Sequence, residues 1–336
     1  MLLDKYLIDN LNLLGVKIMK EAGLASAPQD YHQMVSFFET LKKMAEEKDD
    51  VSANMVYQVL YNFVSSVEVR DRHTSSRVFE DIFAAIFNTE STDISKRENP
   101  SPSDAILEFD HLTKNENWKI STDLSNNKRE KADVWIGNYP ISLKTLKGKQ
   151  IDERGRIVDN TFNDEINVGS FSYRALFKGV LTDNELELLR DRKGGLGSKG
   201  QIRQNVLNPI KNRGQNKEFL KRLKLFFRYV YAEDVLIVIK SDYKIKLFFV
   251  PNQTFVDVIS LLYELNEECF ENVWYRWENN NLRFKLTNFL NYIKHYDLSY
   301  KELVLDLTSF TKNQKIKDFN LGINTKIRTE LEKISN

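Results

Sequence analysis

The run Lys131-Ala132-Asp133-Val134-Trp135-Ile136-Gly137-Asn138-Tyr139-Pro140-Ile141-Ser142-Leu143-Lys144-Thr145-Leu146-Lys147-Gly148-Lys149 decides how the chain is read. Two short β-type runs, Ala132–Ile136 and Ile141–Leu146, flank the turn formers Gly137-Asn138-Tyr139-Pro140. That pattern predicts a hairpin. Side chains on a strand alternate between faces. Ser142 and Lys144 therefore share one face of the second strand, and Leu143 points the other way. Asp133 lies near the start of the first strand, opposite that segment. A carboxylate, a second polar group and a lysine thus converge on one side of a two-stranded ribbon. An acid so placed can hold a divalent metal against a phosphodiester, and a neighbouring lysine can steady the attacking water or the developing charge.

The 336 residues allow one large domain or two ordinary ones. Hydrophobic content of 41% and charged content of 29% are ordinary for a globular chain. Apolar runs such as Val235–Ile239 and Leu247–Val250 are far too short to span a bilayer, so no membrane partner is expected. Acids interrupt the first apolar stretch, Met1 to Asn10, which reads against a signal peptide. The single cysteine, Cys269, excludes an internal disulfide and a cysteine-based zinc site, and points to a reducing cytoplasm. His32, His73, His111 and His295 show no metal-ligand spacing.

Net charge is only +1, but it is unevenly spread. Between Lys193 and Arg228 lie ten basic residues and one acid, Glu218. A concentrated positive stretch on a nearly neutral chain is the footprint of contact with a phosphate backbone. Its first part, Lys193 to Asn205, carries four glycines among lysines. It lacks the G-K-[ST] order of a nucleotide-binding loop, so no nucleotide cofactor is expected. Gln201, Arg203, Gln204 and Asn205 are residue types that can read base edges. A solvated basic loop is the alternative reading.

In chain order, residues 1–48 read as helices, with Met34, Phe38, Leu41 and Met44 on one stripe. A third helix over 52–69 is expected with Ser52 as its cap, and a fourth with a serine or threonine cap near position 75. Glu80 and Asp81 would lie in the first turns of that fourth helix, where they could simply complement the helix dipole. A strand is expected at Trp118–Thr122, and a short helix behind Thr182-Asp183. Lys217–Tyr231 forms an amphipathic basic helix, and two further hairpins follow, at Val235–Val250 and Val273–Leu286. The last of these combines Trp274, Trp277 and Arg276. Helices near Phe289–His295 and from about Asn324 complete the reading. A loose boundary near residue 230 separates a core with N-terminal helices and the basic segment, 1–230, from a C-terminal α/β region, 231–336, that could equally continue the same domain.

The Asp133 … Ser142-Leu143-Lys144 arrangement resembles the PD-(D/E)XK nuclease superfamily, typified by type II restriction endonucleases. There an Asp begins one strand and a (D/E)-x-K triplet sits on the next. Asp133 matches the first acid and Lys144 the lysine. Ala132 stands where the family often has Pro, and Ser142 where the second acid belongs. The match covers about twenty residues, the scale of a local motif. It implies a mixed α/β (α+β) fold, with a restriction-endonuclease-like central mixed sheet flanked by helices, an N-terminal helical region and additional C-terminal hairpins. It also implies Mg²⁺-dependent hydrolysis of double-stranded DNA, in which Asp133, the Leu143 carbonyl and Glu80 hold the metal and Lys144 orients the water. Ser142 would at most hydrogen-bond a metal-bound water, and Asp123 is a second candidate for the missing carboxylate. DNA contacts are expected from Lys147, Lys149, Lys199, Gln201, Arg203, Gln204, Asn205, Arg213 and Arg276. Cutting both strands needs two sites, so a homodimer is expected. The alternatives are a non-catalytic DNA-binding protein on a degenerate nuclease fold, and an interaction protein whose basic helix binds an acidic partner.

Overall fold

The computed structural model describes residues 5–64, 72–92, 132–147, 150–151, 157–159, 165–170, 177, 179–190, 203–230, 234–241, 244–255, 257–258, 274–278 and 281–306. The chain opens with four helices: α1 Lys5–Glu21, α2 Tyr31–Glu46, α3 Val51–Phe63 and α4 Arg72–Ile86. Each presents an apolar stripe at helical spacing. On α1 it is Leu7, Leu11 and Ile18; on α2 Met34, Phe38, Leu41 and Met44; on α4 Val78, Phe79, Ile82, Phe83 and Ile86. Gly15 lets α1 lie directly on the end of α4. A Cβ there would meet the Ile86 carbonyl oxygen at 1.9 Å.

Two helix starts differ from expectation. α3 is capped by Asp50, whose Oδ1 accepts the N–H of Ser52 at 2.9 Å and of Ala53 at 3.1 Å. Ser52 lies inside the helix, and its hydroxyl accepts a bond from Lys17 instead. α4 begins at Arg72, before the serines and threonine expected to cap it. Glu80 and Asp81 are therefore more than two turns inside it, so first-turn dipole compensation does not describe them.

After residue 132 come β1 Val134–Ile136, β2 Tyr139–Lys147, β3 Gln150–Ile151, β4 Ile157–Asp159 and β5 Glu165–Ser170. Then follow α5 Asp183–Arg190, a π-helical turn Arg203–Leu207, α6 Asn208–Asn212 and α7 Asn216–Val230. The described chain closes with β6 Asp234–Ser241, β7 Lys244–Val250, β8 Trp274–Glu278, β9 Asn281–Lys285, α8 Leu286–His295 and β10 Lys301–Asp306. β10 and the short β3, β4 and β5 were not anticipated from sequence. The expected strand at Trp118–Thr122 and the helix from Asn324 lie outside the described residues.

A five-stranded mixed sheet runs in the order β1-β2-β6-β7-β10. β2 and β6 are parallel, with Ser142 in register with Val235 and Lys144 with Ile237; the other pairs are antiparallel. Residues on both sides of position 230 thus build one sheet. β8 and β9 form the expected hairpin but join β5 in a separate three-stranded sheet. The fold is mixed α/β, and helices flank the five-stranded sheet.

One face of that sheet completes the helical core. Val134, Ile136, Ile141, Leu143, Leu236, Val238, Ile245, Leu247, Phe249, Leu303 and Leu305 share a single buried cluster with α1 to α4. Aromatic packing ties helix to sheet, where Phe38 lies 5.4 Å from Phe249, and α2 to the end of α4, where Phe37 lies 4.8 Å from Phe87, centroid to centroid. By strand alternation, Asp133, Ser142 and Lys144 belong to the opposite face. Their neighbours there, Val235, Ile237, Phe248 and Val250, are also buried. Among the described residues no helix is long and apolar enough to cross a membrane.

The Asp50 cap gives a pH-dependent test. Burial alone would raise its pKa, but the Lys17 bond and the Ala53 and Ser52 amides outweigh burial and hold it below its usual value. A depressed folded pKa adds stability above the unfolded pKa, and that stability is lost as pH falls through the folded one. Asp50→Ala should cost about 1 kcal/mol at neutral pH, and Ser52→Ala clearly less. In urea unfolding across pH, the Asp50→Ala deficit should shrink as the solution is acidified below the ordinary carboxylate range.

Candidate active site

The hairpin turn is tight because Gly137 adopts φ +59° and Ile136 pairs directly with Tyr139. Glycine takes that left-handed conformation without a Cβ clash. Tyr139 and Pro140 join the strand instead of the turn. The Tyr139 hydroxyl donates to Asp234 Oδ2 at 2.8 Å, tying the start of β2 to the start of β6. Burial, and then the Asp234 carboxylate beside it, hold the Tyr139 phenol well above its usual pKa.

Asp133 stands one residue before β1. Its N–H donates to the Ile141 carbonyl at 3.0 Å, and its carbonyl accepts the Thr92 N–H at 3.0 Å. Beside it, Ser91 makes a β-bridge to Val134. The main chain of Asp133 is thus held from both sides. Its carboxylate turns towards β2, where Oδ2 accepts the Leu143 N–H at 2.6 Å and the Ser142 hydroxyl at 3.1 Å. Lys144 Nζ lies 3.6 Å from the same oxygen. Asp133 is 6% exposed and Ser142 4%, whereas the Lys144 side chain is 27% exposed. A buried carboxylate needs hydrogen bonds and a counter-charge. Two donors from β2 and a lysine reaching in from the solvent side provide them.

The structure therefore joins Asp133, Ser142 and Lys144, as the period-two pattern predicts, and adds the main-chain N–H of Leu143, whose side chain stays in the core on the other face. Glu80 sits on α4, 6% exposed, with its carboxylate 3.8 Å from the Arg77 guanidinium. Asp81 is fully buried, 3.4 Å from Arg77 Nε, and accepts the Ser91 hydroxyl. Sequence reading missed Arg77, Ser91 and Thr92. The i, i+3 and i, i+4 spacing of Arg77 to Glu80 and Asp81 was the available signal.

A magnesium ion takes a shell of oxygen ligands, bound through carboxylates and waters. Here Asp133 contributes a carboxylate whose Oδ2 already faces three donors. Among the described residues, no three His, Cys, Asp or Glu side chains form a group able to hold a metal. The described residues do not by themselves fit the ion. Asp123 lies outside them.

Of the expected DNA contacts, Arg203, Gln204 and Asn205 lie on the π-helical turn, with Gln204 exposed. Arg213 is exposed but paired within the chain, donating to Glu185 at 2.7 Å and to the Val180 carbonyl at 2.7 Å. Arg276 lies in β8, in register with Arg283 of β9. Lys147 ends β2, while Lys149, Lys199 and Gln201 lie outside the described residues. On α7, Phe219 and Leu223 are buried as expected, and Arg222 is buried with them; Lys217 and Lys221 are exposed. The chain matches no family model, no curated protein and no solved structure.

Truncating Asp133 and Lys144 should have unequal costs. Asp133→Ala leaves a buried N–H and a buried hydroxyl without their acceptor, at about 2–3 kcal/mol. Lys144→Ala removes one partly exposed ion-pair partner and should cost about 1 kcal/mol or less. Denaturant midpoints of the two variants would check the order.

Proposed function

We propose that this chain is an endonuclease acting on the phosphodiester bonds of double-stranded DNA, of the type II restriction kind, with Asp133 and Lys144 at the reacting centre. The observation that carries the reading is their convergence at 3.6 Å from adjacent antiparallel strands. A mixed sheet flanked by helices supports a restriction-endonuclease-like core. Lys144 is the group suited to the phosphate: it is cationic, partly exposed and loosely paired. Its ammonium would bind a non-bridging oxygen or orient the attacking water. Mg²⁺ is the cofactor the reading calls for, with further carboxylates coming from Glu80 or Asp123. A homodimer would place two such sites on the two strands of a duplex, and the cytoplasm is the compartment this reading assigns.

A second reading, a DNA-binding protein without chemistry, is favoured by Ser142. It stands at the second acid position, and its hydroxyl donates to Asp133 where an acid would add a ligand. The two readings separate on one experiment. Mixed-sequence plasmid is incubated with the protein, in Mg²⁺ or in EDTA, beside Lys144→Ala. The endonuclease reading expects discrete Mg²⁺-dependent fragments and a loss of about a hundredfold or more in the variant. Salt-sensitive DNA retention without cleavage would support the binding protein. Neither activity would remove both.

A further inference from the structure

Arg77 projects from α4 into the corner between that helix and the edge of β1. Its Nη1 donates to the Thr92 carbonyl, and its Nη2 to the Ser91 carbonyl at 3.3 Å. Nε lies 3.4 Å from Asp81, and Nη1 lies 3.8 Å from Glu80. The Arg77 side chain is only 12% exposed. A planar guanidinium can donate to two carbonyls while facing two carboxylates, which a lysine ammonium cannot reproduce in one geometry.

What Arg77 holds is a short segment with no helix of its own. The Thr89 hydroxyl donates to the Trp135 carbonyl at 2.7 Å. Ser91 bridges Val134, and its hydroxyl donates to Asp81. The Thr92 N–H donates to the Asp133 carbonyl. A continuous path therefore runs from the Arg77 guanidinium, through the two ends of Thr92, to the Asp133 main chain. It continues through the Asp133 carboxylate to Leu143, Ser142 and Lys144.

We propose that Arg77 is the positioning residue of the Asp133 site. It clamps the 89–92 edge segment, which sets the backbone from which the Asp133 carboxylate reaches β2. Glu80 and Asp81 serve as its counter-charges and fix its fork. The purpose of the positioning rests on the endonuclease reading; the positioning itself rests on the geometry alone.

The Leu143 amide reports the arrangement, because the Asp133 carboxylate is its acceptor. Residue-resolved hydrogen exchange on the full chain would compare wild type, Arg77→Lys and Arg77→Gln, with Asp133→Ala as the reference for the lost bond. The expected result is Leu143 exchange faster by about tenfold in Arg77→Lys, moving towards the Asp133→Ala rate. The amides of Ile237 and Leu247, in the sheet centre, should keep their wild-type rates. Arg77→Lys retains the charge, so it serves if Arg77→Gln fails to fold. Unchanged Leu143 exchange in folded Arg77→Lys would overturn the proposal, and so would equal loosening of Leu143 and the sheet centre. If the wild type cleaves DNA, Arg77→Lys should lower kcat and leave KM close to wild type. If the wild type does not cleave, the endonuclease reading fails, and the exchange result still decides the positioning.

Discussion

The Asp133 carboxylate accepts the Leu143 N–H across the open end of the β1–β2 ladder, and the geometry of the site follows from that bond. Among the described residues the β1–β2 pairing ends at Val134 and Ile141, and the Leu143 amide takes its acceptor from a side chain. Once the carboxylate is turned to β2, strand alternation brings Ser142 and Lys144 to it from the same face. The opposite face is fixed by the helical layer, because Val134, Ile141 and Leu143 must stay in the core with α1 to α4. Slipping the register by one residue would turn Lys144 into the helical core among phenylalanines and take Leu143 out of it, so the pairing has one acceptable solution.

Magnitudes separate the holding from the working parts of this cluster. A hydrogen bond from a buried amide to a carboxylate contributes about 1.5–3 kcal/mol, and a partly exposed ion pair about 1 kcal/mol or less. Asp133 is therefore held mainly by Leu143, and Lys144 is held weakly. An arriving phosphate could take the ammonium at small cost, while the carboxylate stayed in place. The same donors explain why a divalent cation at the described cluster would need oxygens from further residues. They crowd Oδ2 with positive ends, whereas a cation needs free oxygens.

The hairpin was legible in the sequence because it rests on local rules: a glycine at the turn, period-two alternation, and an acid opposite a lysine. The helical stripes of α1 to α4 were legible for the same reason. The cap of α3 was misplaced by two residues because Asp50 and Ser52 are both capping types, and only the backbone angles decide between them. The pairing of β6 with β2 could not be read locally. It is a parallel contact across nearly a hundred intervening residues, so no turn signal announces it. The short alternating run Lys301–Asp306 was passed over, although Leu303 and Leu305 carry the pattern of a half-buried strand. In the site, residues that act through side chains were found, whereas Arg77 acts through main-chain carbonyls and looks like any surface arginine. Arg213 shows the converse: an exposed basic residue in a basic stretch whose guanidinium is taken up by Glu185 and the Val180 carbonyl.

The central claim is that the face carrying Asp133 and Lys144 receives a phosphodiester. The most direct measurement is the acylation rate of individual lysines, read by mass spectrometry with and without mixed-sequence duplex DNA. Lys144 should be protected by the duplex, together with exposed lysines of α7. Protection confined to α7, with Lys144 reacting at the same rate in both conditions, would contradict the account and leave the hairpin as a structural lock.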